Sequence, residues 1–278
     1  MCRHHRLLGV FAVLLILAAC APLAVTPTPQ TEPDAAAPIT PLVNPASATP
    51  IRILFIGNSN TFINQGLDVH LKAMAAAAVP PITVDASSVT IPGATLAELW
   101  EGSDAVDVIR TGDWDVVVLQ NCGTYWPDEY EAAVTKFFGV IAESGTTPLI
   151  FAQWDDINDP GSEVSYHVGA RSGIPVAPTS TAWDEAMFAR PDLSLQDDEI
   201  EWHANVPGTY LNTAVLYATI FGLNPQENPY RPVQLLPDLD TVAPSFKRDM
   251  ERIHEQWTIS DEDAAFLQQI AWEAVTHD

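Results

Sequence analysis

Cationic side chains are scarce in this sequence. Its 278 residues contain 12 Lys and Arg against 36 Asp and Glu, a formal net charge of −24 at pH 7. A nucleic-acid partner calls for a basic footprint that neutralises phosphates, and none is present. Anionic lipid surfaces and polyanionic substrates are repelled by the same field. Cysteine is scarcer still, with Cys2, Cys20 and Cys122 only. The first two fall in the N-terminal leader, so Cys122 stands alone and no internal disulfide is available. No Cys/His cluster has zinc-ligand spacing, so no structural metal is expected, and no cofactor. No internal repeat is visible.

Arg3, His4, His5 and Arg6 open the chain and are followed by the apolar run Leu7–Leu17. That run is shorter than the roughly 20 residues a spanning helix needs. Leu17-Ala18-Ala19-Cys20 comes directly after it. The arrangement resembles a bacterial lipoprotein signal within residues 1–20, which implies that Cys20 is lipidated and becomes the first mature residue, with a membrane anchor on the extracytoplasmic side. An ordinary secretory signal with an incidental cysteine is the alternative, and either one exports the protein. Loss of Arg3 and Arg6 leaves 10 basic against 36 acidic residues, a formal charge of −26. Residues 21–50 are rich in Pro, Thr and Ala. Such a stretch buries too little apolar surface to offset its ordering entropy and reads as a disordered tether. Residues 51–278 are enough for one α/β domain with an ample core.

Within that domain, strands and helices alternate. Ile53–Ile56 is a short β-branched run of the kind buried on both sheet faces. A helix is predicted over Gln65–Ala78, a strand over Ile82–Ile91, a helix over Thr95–Arg110 and a strand over Trp114–Leu119. Asp128–Glu143 places Tyr130, Val134, Phe137, Phe138 and Ile141 on one helical side. Pro148–Gln153 reads as a strand. Ser165–Ala189 reads as helical pieces interrupted by a short edge strand in Gly173–Pro178. Gly208–Phe221 is a helix stopped by Gly222 and Pro225. Asn224–Ser245 is proline-rich and expected to wrap the surface. Ser260–Val275 is a final helix, with Ser260 and Asp263 as a capping pair. The alternation predicts a mainly parallel sheet with helices on both faces.

The chemistry concentrates where strands end, as ligands do in open α/β sheets. The first strand runs into the small polar turn Gly57-Asn58-Ser59-Asn60-Thr61. A serine there is placed for nucleophilic work but needs a base within hydrogen-bond reach. Of the seven histidines, His203 has the most telling setting, in Trp202-His203-Ala204-Asn205 just before a late helix. His70 lies inside a helix and faces solvent as much as any site. His167, His254 and His277 have polar surroundings. An oxyanion needs preorganised donors. The Ser59 N–H, the Gly93 backbone and the Asn121 side chain each follow a successive strand.

In this order, Gly57-Asn58-Ser59, Gly93, Asn121 and His203 resemble the SGNH/GDSL hydrolase superfamily over most of residues 51–223. Gly57–Thr61, Pro92-Gly93-Ala94-Thr95-Leu96 and His203-Ala204-Asn205 with Gly208-Thr209-Tyr210-Leu211 are similar to the branch whose first block reads GNS. The resemblance implies a flavodoxin-like three-layer α/β/α sandwich and ester hydrolysis through an acyl-serine intermediate. It makes Ser59 the nucleophile, His203 the base, and Ser59 N–H, Gly93 and Asn121 the oxyanion hole.

Two positions depart from the family pattern. In Val118-Leu119-Gln120-Asn121-Cys122-Gly123 the asparagine comes early, so Gln120 is a second choice of donor. Three residues before His203, where the family has its acid, stands Ile200. Glu201 is the preferred replacement, Asp198 the alternative, and a Ser–His dyad without an acid the third option; the acid's task is to hold the imidazole tautomer. Tyr125, Trp126, Trp154 and Trp202 fall near strand ends, where flat rings stack on sugars or pack in the core. The expectation is therefore a membrane-tethered serine esterase acting on a small acyl ester, acetyl-type, of a carbohydrate or small molecule. The competing readings are an O-acyltransferase, a non-catalytic ligand-binding lipoprotein on the same fold, and a flavodoxin-like protein whose Ser59/Thr61 loop cradles a phosphate.

Overall fold

Five strands, Ile51–Gly57 (β1), Val84–Thr90 (β2), Val116–Leu119 (β3), Thr147–Phe151 (β4) and Val176–Ala177 (β5), form a single sheet in the computed structural model of the protein. The structure describes residues 39–121, 127–154, 161–197, 202–232 and 258–277. The strand order is β2-β1-β3-β4-β5 and every pairing is parallel. This is the flavodoxin-like order, in which the direction of strand succession reverses between β1 and β3. The α/β class expected from the alternation is the one observed.

Side chains alternate across each strand, and both faces of the sheet are apolar. Ile51, Ile53 and Phe55 of β1, with Val116 and Val118 of β3, enter one core. Leu54, Ile56, Val117 and Leu119 enter the other. The first core is covered by Leu67–Ala76 (α2), Thr179–Ala189 (α7), Val206–Phe221 (α8) and Asp261–His277 (α9). The second is covered by Leu96–Gly102 (α3), Ala105–Thr111 (α4), Pro127–Glu143 (α5) and Gly161–Ser172 (α6). One further helical turn, Ser59–Phe62 (α1), follows β1.

Helix α8 lies inside this arrangement rather than on it. All its residues but Pro207 are buried, because it packs against the sheet layer, α2 and α9 at once. Its threonines survive burial by donating one turn back, Thr213 Oγ1 to Thr209 O at 2.7 Å and Thr219 Oγ1 to Val215 O at 2.9 Å. Asn205 caps its start, accepting from Gly208 N–H at 2.9 Å, and Gly222 ends it in the left-handed region (φ 63°).

Three expectations are corrected. The single helix predicted over Thr95–Arg110 is two helices, because Ser103 intervenes. Its hydroxyl donates to Leu99 O and accepts from Ala105 N–H, ending α3 and opening α4. The start of α3 carries a full capping box between Thr95 and Glu98. The tether expected over 21–50 does not extend to residue 50. From residue 39 the chain lies on the domain, with Leu42 and Val43 against the first core and Leu42 N–H donating to Ile220 O at 3.0 Å. Apolar contact of Leu42 and Val43 with that core favours the docked segment. His70, read as half turned to solvent, is 2% exposed. Residues 233–245 of the wrapping segment, and Cys20 and Cys122, lie outside the described residues.

Candidate functional site

β1 and β3 stay in register up to Ile56 and Leu119, and beyond them the chain turns off the same sheet end. The GNSNT turn is built from there. Asn58 is extended and caps α1, its Oδ1 accepting from Asn60 N–H at 3.0 Å. Its Nδ2 donates to Ala94 O at 3.2 Å, tying the turn to the Pro92-Gly93 segment. Ser59 is therefore the first residue of a helix, whose opening N–H groups have no intrahelical acceptor.

Gln120 locks this turn to β3. Its Oε1 accepts from Asn58 N–H at 2.8 Å and from Thr61 Oγ1 at 2.9 Å. Its Nε2 donates to Gln153 Oε1 at 2.7 Å and to Asn121 O. Both amide hydrogens and the amide oxygen are spent in a buried lock, so Gln120 is a structural member of the site. Gly57 follows from the same lock. A Cβ there would lie 2.2 Å from Thr61 Oγ1 and 2.5 Å from Gln120 Oε1, so glycine is the residue that leaves room.

Asn121 stands next in sequence with a different task. It is 8% exposed, and its Oδ1 accepts from Leu96 N–H at 2.8 Å, at the start of α3. That bond fixes the carbonyl end of the amide and makes Nδ2 its donor end. Gly93 sits in an exposed turn with Ala94 N–H donating to Ile91 O at 3.2 Å. Pro92 and a left-handed Gly93 (φ 70°) make the type II arrangement, in which an L side chain would be strained. Among the described residues beyond its chain neighbours, no atom lies within 4 Å of where its Cβ would point, which leaves the backbone open to approach.

His203 comes from the loop ahead of α8. Its Nε2 is 2.8 Å from Ser59 Oγ. The loop that carries it is fixed by an antiparallel bridge between Gln196 and Ala204. Asp197 N–H donates to His203 O and Asn205 N–H to Leu195 O, both at 2.9 Å. With Nε2 accepting the serine proton, Nδ1 carries the ring's own hydrogen. Glu201 and Asp198, between which the sequence divided the acid's role, lie outside the described residues.

The remaining expectations divide. Trp154 is 5% exposed and stacks on Trp183, centroids 4.0 Å apart and planes within 5°, with Trp183 Nε1 donating to Asn212 Oδ1 at 2.7 Å. It is a core residue and offers no face to a sugar. Trp202 is 48% exposed and holds a left-handed backbone (φ 69°) beside His203. Tyr125 and Trp126 lie outside the described residues. His167 and His277 are exposed, on α6 and at the end of α9, and His254 is outside the described residues. Among the described residues no group of three or more His, Cys, Asp or Glu converges as metal ligands.

Sequence reasoning missed Asn64. It lies five residues after Ser59 with a left-handed backbone (φ 54°, ψ 42°), and its Nδ2 donates to Ala204 O at 2.8 Å and Thr209 Oγ1 at 2.9 Å. The signal was available in Ile63-Asn64-Gln65-Gly66, since asparagine and glycine are the residues that adopt left-handed conformations most readily.

No family model and no curated protein sequence matches the chain. Among solved structures, the fold is similar to that of a DUF4886 family protein from Bacteroides uniformis, with a TM-score of 0.60 at 17% identity over 82% of this chain and 95% of that one. It is also similar to the acetyl xylan esterase AlAXEase, with a TM-score of 0.51 at 14% identity over 60% of this chain and 98% of that one. At these identities the likeness establishes a shared α/β fold.

Proposed function

We propose that the protein is an exported SGNH-type serine esterase that removes a small acyl group, acetyl-type, from a carbohydrate or small-molecule ester. The observation that carries this reading is the 2.8 Å contact between Ser59 Oγ and His203 Nε2, at the strand ends of β1 and β3. A bare serine hydroxyl is a weak nucleophile, and a neutral imidazole nitrogen at hydrogen-bond distance is what activates it.

In this reading Ser59 Oγ attacks the ester carbonyl while its proton passes to His203 Nε2. The oxyanion that forms lies against the Ser59 N–H, the Gly93 backbone and Asn121 Nδ2. Imidazolium returns the proton to the departing alcohol, leaving acyl-Ser59. A water then attacks the acyl carbon as His203 takes its proton, and the bond to Ser59 Oγ breaks, releasing the acid while His203 returns the proton to Ser59 Oγ. Glu201, or Asp198, holds the Nδ1–H tautomer. Cys20, lipidated, anchors the domain to the extracytoplasmic side of a membrane.

For the substrate class, three points support a neutral sugar ester. The exposed ring of Trp202 stands beside the base and offers a face for stacking. The strongly acidic composition opposes polyanions. A protein of similar fold is described as an acetyl xylan esterase. The test is acetate release from 4-nitrophenyl acetate and from acetylated xylo-oligosaccharides by the parent, Ser59→Ala and His203→Ala. The reading requires turnover by the parent and its loss in both variants. A folded, inactive parent that nonetheless binds the oligosaccharide would replace it with a binding protein. Acyl transfer to added sugar in preference to water would make it an acyltransferase.

A further inference from the structure

We infer that Asn64 is a positioning residue whose side-chain amide, bonded to both Ala204 O and Thr209 Oγ1, sets the distance between Ser59 and His203. The inference rests on reading those two residues as the reacting pair.

Ser59 and His203 are 144 residues apart in sequence and belong to separate arms. The first arm leaves β1 through α1 and then reverses through three successive left-handed residues, Asn64 (φ 54°), Gln65 (φ 77°) and Gly66 (φ 95°). Two of the three are not glycine, so this backbone is held against its own preference. The second arm is the loop ahead of α8. Its bridge to Gln196 and Asp197 fixes it on the side facing the 194–197 segment. On the other side, the described cross-arm hydrogen bonds beyond the Ser59–His203 contact itself come from Asn64 Nδ2. It reaches the carbonyl of the residue directly after His203, and the hydroxyl of Thr209 in the first turn of α8.

The Asn64 peptide is itself held from behind. Its carbonyl accepts from His70 Nε2–H, and His70 Nδ1 accepts from the Tyr230 hydroxyl at 2.6 Å. Tyr230 is in turn placed by its N–H to Asn228 Oδ1 at 3.0 Å, and its carbonyl takes Arg231 Nη1 at 2.7 Å. A simple need for a left-handed residue would be met at least as well by glycine. Glycine at 64 therefore separates the two explanations: it keeps the backbone conformation and removes the amide.

The test compares the parent with Asn64→Gly, and Thr209→Val with Thr209→Ser. Two things are measured: kcat and KM for 4-nitrophenyl acetate, and the Ser59 Oγ to His203 Nε2 distance in crystals of each variant. Misplacing a base by about 1 Å costs roughly 100-fold in rate. We expect kcat to fall roughly 10–100-fold in Asn64→Gly, with KM for this small ester unchanged and the Ser59–His203 distance lengthened. Thr209→Val, which removes one of the two acceptors, shows a smaller loss, and Thr209→Ser restores parental kcat. Parental kcat and distance in Asn64→Gly overturn the inference. A lowered kcat at an unchanged distance overturns it too, because the amide then acts by other means. A parent without esterase turnover counts against the proposed function; the crystallographic distance then decides the positioning role by itself. Should Asn64→Gly fail to fold, the threonine pair decides, with equal kcat and distance in Thr209→Val and Thr209→Ser contradicting the inference.

Discussion

The two arms that meet at Ser59 and His203 are built differently. The serine arm is locked along its length: Gln120 takes the Asn58 N–H and the Thr61 hydroxyl, Asn58 reaches Ala94, and Gly57 leaves room for all of it. Among the described residues, the histidine arm is a loop paired through its backbone with the 195–197 segment and clamped by the Asn64 amide, with an exposed tryptophan in a left-handed conformation next to the base in sequence. In a hydrolase the nucleophile must hold still against the oxyanion donors, whereas the base must follow the proton between two partners. A buried side-chain lock on one side and a backbone-paired loop on the other fit that division of labour.

The comparison breaks most completely at the contact itself. Ser59→Ala and His203→Ala should each lower ester turnover by roughly 10⁴-fold or more, with Tm unchanged in both. Comparable losses from both residues would show that the arms act as one unit. Next come the locks of the serine arm. Gln120→Leu strands the Asn58 N–H and the Thr61 hydroxyl in a buried place, at about 1–3 kcal/mol for each group. Urea unfolding should show that loss, together with reduced turnover. Gly57→Ala pushes a methyl into Thr61 and Gln120 and should cost about 1–3 kcal/mol. An alanine variant of parental stability would mean that the lock is looser than its distances show.

The smallest effect concerns the support behind Asn64. Burial holds the His70 pKa below its ordinary 6.5, against the raising effect of its bond to the Asn64 carbonyl. The native state therefore resists a proton that the unfolded chain accepts. This group's share of stability is complete above about pH 6.5 and declines as the pH falls below that value. One such proton changes stability by at most about 1.4 kcal/mol per pH unit. Urea unfolding at pH 7.5 and 5.5 should show a steeper acid loss in the parent than in His70→Gln. Equal slopes would place the acid sensitivity elsewhere.

Much of the fold could be read from local pattern. The runs IRILFIG and VVVL are apolar on both faces because both faces are covered, and strand–helix alternation admits few other sheets. Within the site, Ser59, Gly93, Asn121 and His203 were legible because each follows a strand or precedes a helix with a small or polar signature. What stayed hidden depends on partners far along the chain. That the Gln120 amide is spent in a lock turns on Asn58, Thr61 and Gln153, which only the folded sheet brings to Gln120. His70 reads as half turned to solvent until Tyr230, 160 positions away, supplies a polar partner for its burial. Residues 39–50 share the composition of the tether ahead of them, and their partners, the first core and the Ile220 carbonyl, lie far along the chain. The split of Thr95–Arg110 rests on one hydroxyl, that of Ser103, against an otherwise helical run.

The central claim, that Ser59 is a nucleophile activated by His203, is tested most directly by covalent labelling. The parent, Ser59→Ala and His203→Ala would be treated with a fluorophosphonate and followed by intact mass and peptide mapping. One adduct per chain is expected on Ser59 in the parent, none on that peptide in Ser59→Ala, and a labelling rate in His203→Ala lowered by orders of magnitude. An unlabelled, folded parent, or an adduct that forms as fast without His203, would contradict it.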